Sequence, residues 1–569
     1  MILQALCEYY HRKAADPESG MAPEGFEWKP IPFLVVISPD GRFVDIQDTR
    51  EGEGKKKQAR AFLVPKDVGR SGSAVRANLL WDNVEYTIGA NPRGRKDIAE
   101  RHRAFCERIQ ALPDHPELNA LKCFLGAGAL EAIEANKKDS HLWKEMVETN
   151  SNVSFRVTGS DYAAVFEAVS HLLGDAVPVS AVQGRCLVTG ALHPIARTHP
   201  KVKGVWNAQT SGASLVSFNE PAYASFGRTQ NYNAPVSESA AFAYTTALNH
   251  LLAKDSRQRL QVGDATVVFW SGRKASELEA AFASLLGLPS KDNPDAETQA
   301  VAWLYSSPYT GHLPQEGDTP FYVLGLAPNA ARLSVRFWHV DTVSGLSAKL
   351  RQHFDDLEIV LGPRDSGRRA LMPLLCDLVL QGKADNIPPN LAGNVMRAVL
   401  SGGPYPATLL PMAVRRIRAD KEYGVTRMRA AVLKAVLNRA NRCSSAVSKA
   451  ITVSLDRANT CPGYRLGRLF AVLEKIQEDA QPGINATIRD RFYGAASSSP
   501  ASVFPQLLKL KNHHLAKLEN SAFRRGHEQR LAEIFDGLAD MPAHLRLEEQ
   551  ARFAIGYYHQ RQALFTKSP

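Results

Sequence analysis

YRLGRLFAVLEKIQEDAQPGINATIRDRFYGAASSSPASVFPQLLKL, from Tyr464 to Leu510, decides the fold of the C-terminal third. Leu466, Leu469, Phe470, Leu473 and Ile476 recur at steps of three and four, which lays one apolar stripe along a helix. The same spacing returns in Phe504, Leu507, Leu508, Leu515 and Leu518, and again in Leu531, Ile534, Phe535 and Leu538. Breakers part these segments at Gly402-Gly403-Pro404, Pro462-Gly463, Pro482-Gly483, Ser497 to Pro500, and Pro542. Several such helices joined by short turns predict an antiparallel bundle over 386–569, with a boundary near residue 385.

Upstream the period changes. Ile31 to Ile37, the Pro39-Asp40-Gly41 turn and Arg42 to Ile46 predict a β-hairpin. Phe321 to Leu326 and Leu333 to Val340, joined through Pro328-Asn329, predict a second. Val153 to Thr158 and Thr266 to Trp270 are further strand-like runs, while Lys96 to Glu148 is helix-rich. Strands and helices mix without a βαβ rhythm, so residues 1–385 are expected to form a mixed α/β region and the whole chain an α+β fold.

Of 569 residues, 44% are hydrophobic and 22% charged, which excludes a disordered or collagenous chain. The longest apolar stretch, Ala370 to Leu380, is about half of the roughly 20 residues a membrane span needs. Glu8 and His11 interrupt the opening MILQALCEYYHRK, so a cytoplasmic protein with no membrane partner is expected. The closest two of the seven cysteines, Cys106 and Cys123, stand too far apart for a CxxC zinc or redox site. Net charge is +11, and it is uneven: residues 391–569 hold 27 basic against 14 acidic side chains, the first 390 hold 42 against 44. The surplus is densest over 411–460, with Arg415, Arg416, Arg418, Lys421, Arg427, Arg429, Lys434, Arg439 and Arg442. Such a stripe reads either as a footprint for a phosphate backbone or as a solvated helix face.

The sequence contains no GxxxxGK followed by Ser or Thr, no HExxH and no GxSxG. Gly126-Ala127-Gly128-Ala129 lacks the third glycine of a dinucleotide fingerprint and reads as a helix entry. Cys186, His193 and His199 have no fourth ligand at a zinc-like spacing. Asp264, Asp355 and Asp356 read as surface or turn carboxylates rather than a two-metal site. No cofactor or metal is therefore expected. The alternative kept open is a metal-dependent nuclease acting on DNA through Asp264, Asp355 or the His193/His199 pair.

Two polar stretches carry recognition chemistry. Residues 186–252 concentrate Asn207, Gln209, Thr210, Asn231 and Asn233, with Lys203, amid glycines and few acids. Asn and Gln amides can read base edges, Lys can meet phosphate, and the same residues are also ordinary turn formers. Residues 64–97 offer Lys66, Arg70 and Ser71 with Asn78 and Asn83, and Trp81 as a core anchor.

Those stretches, with RSGSAVRANLLWDNVEYTIG, GDATVVFWSG and the segment quoted first, resemble in order the large subunit of the type I-C CRISPR surveillance complex, Cascade. The resemblance implies a non-enzymatic, DNA-binding subunit. It would recognise the protospacer-adjacent motif in duplex DNA, part the strands, hold the R-loop and offer a docking surface to a separate helicase-nuclease. It implies as partners a guide RNA, repeated backbone subunits and a 5′-handle-binding subunit. A small subunit similar to the C-terminal bundle would be translated from within it, from Met428 or a nearby non-AUG codon. Lys66, Arg70, Ser71, Asn78, Asn83, Lys203, Asn207, Gln209, Thr210, Asn231 and Asn233 are then the motif candidates. Arg415, Arg416, Arg418, Lys421, Arg427, Arg439 and Arg442 are the backbone candidates.

Overall fold

The computed structural model describes residues 1–52, 57–68, 75–172, 182–273, 279–280, 282–284, 318–362, 371–444 and 449–565. The fold is α+β, and its contacts divide it into two compact units. One comprises Met1–Val202 with Val216–His250, the other Lys203–Leu215 with Leu251–Pro569.

The first unit opens with helix α1 (Ile2–Ala14), which buries Leu6, Tyr9 and Tyr10. Its central sheet contains β1 (Phe33–Ile37), β2 (Phe43–Asp48), β3 (Asp82–Asn83) and β4 (Asn152–Val157) in the order β2-β1-β4-β3. β1 and β2 form the hairpin expected from the turn, paired Phe33 to Asp48. β4 returns parallel to β1 after the helices of residues 98–148, so the strand in the middle is apolar on both faces. Gly128, at φ +90°, opens the helix Ala129–Lys137 as the glycine pattern implied. Trp81 is a buried anchor: its Nε1 donates to the Pro65 carbonyl at 2.7 Å and Lys29 Nζ lies 4.6 Å from the ring centre. The unit also contains α2 (Glu238–Leu251).

The second unit starts from an antiparallel sheet of β5 (Arg259–Val262), β6 (Ala265–Ser271), β7 (Pro320–Asn329) and β8 (Arg332–Thr342), in sequence order. β7 and β8 are the second expected hairpin. The helices follow as α3 (Val343–Leu357), α4 (Pro389–Ser401), α5 (Leu409–Ala419), α6 (Arg427–Cys443), α7 (Pro462–Ala480), α8 (Ile488–Ala496), α9 (Pro500–Ala516), α10 (Ser521–Asp536) and α11 (Leu547–Phe565). One hydrophobic core runs through sheet and helices, from Val262 to Tyr557.

α7 is the centre of the helical region and is buried on nearly every side. Pro462-Gly463, read as a breaker, instead begins this helix, since proline is at home in a first turn. Gly463, Gly467 and Gly556 let α7 and α11 touch backbone to backbone; a Cβ on Gly467 would lie 2.0 Å from the Phe553 carbonyl oxygen. This pair departs from the antiparallel expectation. Gly463 meets Glu549, Gly467 meets Phe553, Glu474 bonds Tyr557 and Glu478 pairs with Arg561, so residue numbers rise together and the helices run parallel. The chain segment between them, carrying α8 to α10, is long enough to bring α11 back to the same end.

Candidate nucleic-acid interface

In the first unit, most motif candidates serve the loops that hold them. Asn78 is 2% exposed; its backbone N–H donates to Asp82 Oδ2 at 2.8 Å and its side-chain oxygen accepts from the Val68 N–H at 3.1 Å. Asn83 is half-buried at the start of the helical turn Val84–Thr87. Lys66 is half-buried with Nζ 5.0 Å from the Phe242 ring centre. Burial lowers its pKa, against the opposing pull of Glu27, Glu238 and Glu24. Asn231 is buried and its N–H donates to the Arg197 carbonyl. The reading of Asn78 and Asn231 as free base-edge readers is corrected by this burial. Arg70 and Ser71 lie outside the described residues.

Asn233 has a definite local task. Its side-chain oxygen accepts from the Ser225 N–H at 3.0 Å, and its Nδ2 donates to the carbonyls of Arg228 at 3.0 Å and Gln230 at 2.9 Å. With its amide fully used, Asn233 is a staple rather than a reader. What it staples is a tight turn, Ser225-Phe226-Gly227-Arg228, closed by the Arg228 N–H on the Ser225 carbonyl at 2.9 Å. Phe226 has φ +50° and Gly227 φ +72°, the pair of positive values that marks a type I′ turn. Glycine tolerates that region, but a bulky aromatic there costs about 1–3 kcal/mol. The side chain so placed is 100% exposed, with Tyr223 and Arg228 exposed beside it in sequence. Sequence reasoning passed over Phe226; an aromatic between Ser and Gly in a polar loop was the available signal.

In the second unit, Lys203, Asn207, Gln209 and Thr210 are all exposed on one loop. Val202 and Val205 are buried on either side of Gly204, where a Cβ would lie 2.6 Å from the Leu252 carbonyl oxygen. Trp206 donates its backbone N–H to Thr266 Oγ1 at 2.9 Å and leaves its indole 56% exposed. Asn207 takes φ +57°, a conformation that asparagine adopts more readily than most residues. The loop thus presents two amides, a hydroxyl, an ammonium and an indole from a fixed base, the chemistry of base-edge and stacking contact.

The basic stripe of 411–460 divides in the structure. Arg415, Arg418 and Lys421 are exposed, and Arg427 is half-buried. Arg416 pairs with Asp420 at 3.1 Å. Arg439 is 0% exposed, its Nε donating to Asp356 Oδ2 at 2.7 Å and its guanidinium 4.5 Å from the Tyr405 ring centre. Arg442 reaches the other oxygen of the same carboxylate at 2.5 Å. Arg429 and Lys434 are likewise buried, on Asp420 and on the carbonyls of Asp355 and Asp356. Two expectations are corrected here: Arg439 is an interior residue rather than part of an outer footprint, and Asp356 is its buried partner in α3 rather than a surface or turn carboxylate. Burial pushes Asp420 up, but the Tyr423 N–H and Arg429 outweigh it and hold its carboxyl below the usual range.

The groups considered for a metal do not gather. Asp264 pairs with Arg336 at 2.7 Å. His193 is exposed on the strand Leu192–Pro194, whereas His199 is buried with Nδ1 2.7 Å from the Tyr244 hydroxyl. Cys186 is buried and accepts the N–H groups of Ser237 at 3.2 Å and Val188 at 3.4 Å. Among the described residues, no three His, Cys, Asp or Glu side chains form a group that could hold a metal ion. No helix among them is long and apolar enough to cross a membrane.

Residues 6–565, nearly the whole chain, match the family described as CRISPR-associated protein (Cas_Csd1). The chain belongs to that family. None of the curated proteins matches it. Family membership places the exposed loop at 203–210 and the Phe226 turn in a CRISPR-associated protein.

Proposed function

We propose that this chain is the large, non-enzymatic subunit of a type I-C Cascade, which recognises a short motif in duplex DNA, parts the strands beside it and holds the R-loop. Its partners in this reading are a guide RNA with repeated backbone subunits, a small subunit, a 5′-handle-binding subunit and a separate helicase-nuclease that docks on it. The observation that carries the reading is the Ser225–Arg228 turn. A fully exposed phenylalanine in a disfavoured backbone conformation, its turn held by three hydrogen bonds with one asparagine, two donated and one accepted, has no role in packing the unit. Apolar side chains inserted between base steps unstack them at a cost of a few kcal/mol, so Phe226 has the chemistry of a wedge. Asn207 and Gln209 supply the base-edge contacts, with Lys203 on phosphate. The exposed Arg415, Arg418 and Lys421 meet strand backbone.

The test compares two targets in the assembled guide-RNA complex, one fully paired and one already opened beside the motif. Phe226→Ala should weaken binding to the paired target by ten- to a hundredfold and leave the opened target unchanged. Asn207→Ala or Gln209→Ala should flatten preference at one motif position, by about 1–3 kcal/mol. Equal losses on both targets, or none on either, would remove the wedge.

A further inference from the structure

The helices of residues 98–148 cover one face of the first unit's sheet, where Phe105 and Phe124 pack on Phe155 of β4. The other face follows from the register. Leu34 pairs with Gln47 of β2 and with Ser154 of β4, and Val36 pairs with Arg156, so Leu34, Gln47 and Arg156 point away from those helices. There the chain leaves a cavity of about 350 Å³, near the lower end of the roughly 300–1,000 Å³ usual for a small-ligand site. Buried Leu34 and Phe62 line it together with Tyr162, which is 46% exposed. The loop bearing Asp161 and Tyr162 is tied down on both sides: the Tyr162 N–H donates to Ser160 Oγ at 3.3 Å and the Ala163 N–H to Glu167 Oε2 at 3.0 Å.

The charges around the cavity decide what it suits. Arg50 is spent, its guanidinium donating to both oxygens of Asp48, at 2.8 and 2.9 Å, and to Glu145 Oε2 at 2.8 Å, while Asp48 also meets Lys57 at 3.7 Å. Those two cations and two carboxylates cancel. Arg60, Arg156, Glu51 and Asp161 also line the cavity, and among the described residues none of the four enters an ion pair. Two charges of each sign favour neither a bare anion nor a bare cation. They favour a neutral ligand with donors on one edge and acceptors on another, and the Tyr162 ring favours a flat one. The guanidinium groups have defined seats, Arg60 at 5.0 Å from the Phe62 ring centre and Arg156 donating to Gln47 Oε1 at 3.2 Å.

Guanine meets this description better than the other bases. Its O6 and N7 are neighbouring acceptors that an arginine fork spans, and its N1–H and N2–H are neighbouring donors that one carboxylate spans. Adenine lacks the pair of donors, and the pyrimidines lack the pair of acceptors. We infer that this cavity binds an unpaired guanine, with Arg156 on O6 and N7, Asp161 on N1–H and N2–H, and Tyr162 against the ring. Base pairing occupies the edge that Asp161 takes, so the guanine is either a free nucleotide or an unpaired residue of a strand. The inference needs neither the Phe226 wedge nor the loop at 203–210, so it and the proposed function fail independently.

Calorimetric titration of the full chain with the monophosphates of guanosine (GMP), inosine (IMP) and adenosine (AMP) tests it, since all three carry the same sugar and phosphate. GMP should bind about tenfold more tightly than IMP, which lacks only the N2 amino group, and more tightly still than AMP. Asp161→Asn should weaken GMP about tenfold and close its gap to IMP, whereas Arg156→Gln should weaken both by a similar factor. Tyr162→Ala should weaken all three about tenfold and keep their ratios, and Tyr162→Phe should bind as the wild type does. Asp161 and Tyr162 are exposed, so their substitutions should leave the unfolding midpoint unchanged. Equal affinity for the three nucleotides, no GMP binding at millimolar concentration, or GMP binding indifferent to Asp161→Asn and Tyr162→Ala overturns the inference. The assembled complex separates the two sources. GMP binding at the free-chain level identifies a free nucleotide, and exclusion of GMP with an ultraviolet cross-link from Tyr162 to a guanine identifies a strand residue. Exclusion without that cross-link means that a protein segment fills the cavity, and it overturns the inference.

Discussion

α6 and α9 are both 17 residues long and both rich in cations, yet they use their charge in opposite ways. In α6, Arg429, Lys434 and Arg439 are interior; Arg429 pairs with Asp420, nine residues before it, while Lys434 and Arg439 find their partners in α3, Asp356 lying 83 residues before Arg439. On α9, Lys509 and His513, with Lys517 just past its end, face solvent, and the helix's apolar stripe is separate. By sequence α6 is the more basic helix; by surface, α9 and the start of α10 are. The difference teaches that a count of arginines along a chain measures composition, while the field outside the protein depends on which carboxylates folding brings to face them.

The sharpest way to break that comparison is at Asp356. Removing one member of a buried ion pair leaves the other uncompensated, at a cost of about 3–5 kcal/mol. Arg439→Ala and Asp356→Ala should each lower unfolding free energy by that amount in denaturant titration. Arg442→Ala should cost under about 1 kcal/mol, because its side chain is 44% exposed although it shares the carboxylate. If Arg439→Ala is as mild as Arg442→Ala, the interior assignment of α6 is wrong.

A middle-sized effect concerns three buried histidines, each within hydrogen-bonding distance of a tyrosine hydroxyl: His199 with Tyr244, His353 with Tyr405, and His559 with Tyr464. Burial lowers their pKa values to about 4, about 3 and about 4, with Lys66, Arg439 and Lys434 respectively adding to the effect. In the unfolded chain each titrates near its ordinary value of about 6.5. The stabilising difference is therefore intact above about pH 6.5. It is lost as pH falls toward the folded values, because the unfolded state takes up protons first. At pH 5 each histidine should cost about 2 kcal/mol relative to pH 7.5. Unfolding measured at the two pH values checks this, and His353→Gln should shrink the difference by about one histidine's share.

Much of the fold was legible because its signals are local. The turn at Pro39-Asp40-Gly41, the strands around Pro328-Asn329 and the three-four spacing of α7 each depend on residues within one element. The parallel pairing of α7 with α11 was not legible, since it depends on glycines at 463, 467 and 556 meeting across the structure. The candidate site was legible in its residue types and less so in its assignments. Asn207 and Gln209 are exposed as a reader must be, whereas Asn233, equally polar, spends its amide on the turn that displays Phe226. Nothing in an asparagine's own neighbourhood says whether its amide will be satisfied from within.

The smallest effect on stability separates the outer part of the stripe from the inner part. Arg415 and Arg418 are exposed on α5, and Arg418 has a 3.5 Å contact to Ser498. Reversing both to Glu should change unfolding free energy by no more than about 0.5 kcal/mol, the usual range for surface positions. Target affinity of the complex should nonetheless fall to a similar extent for every motif sequence, and fall less as salt is raised, because the lost contacts are electrostatic and blind to sequence. Affinity loss in the Arg415/Arg418 variant that varies with the motif would move α5 from strand holding to motif reading. No loss would reduce the 411–460 stripe to the interior pairs of α6.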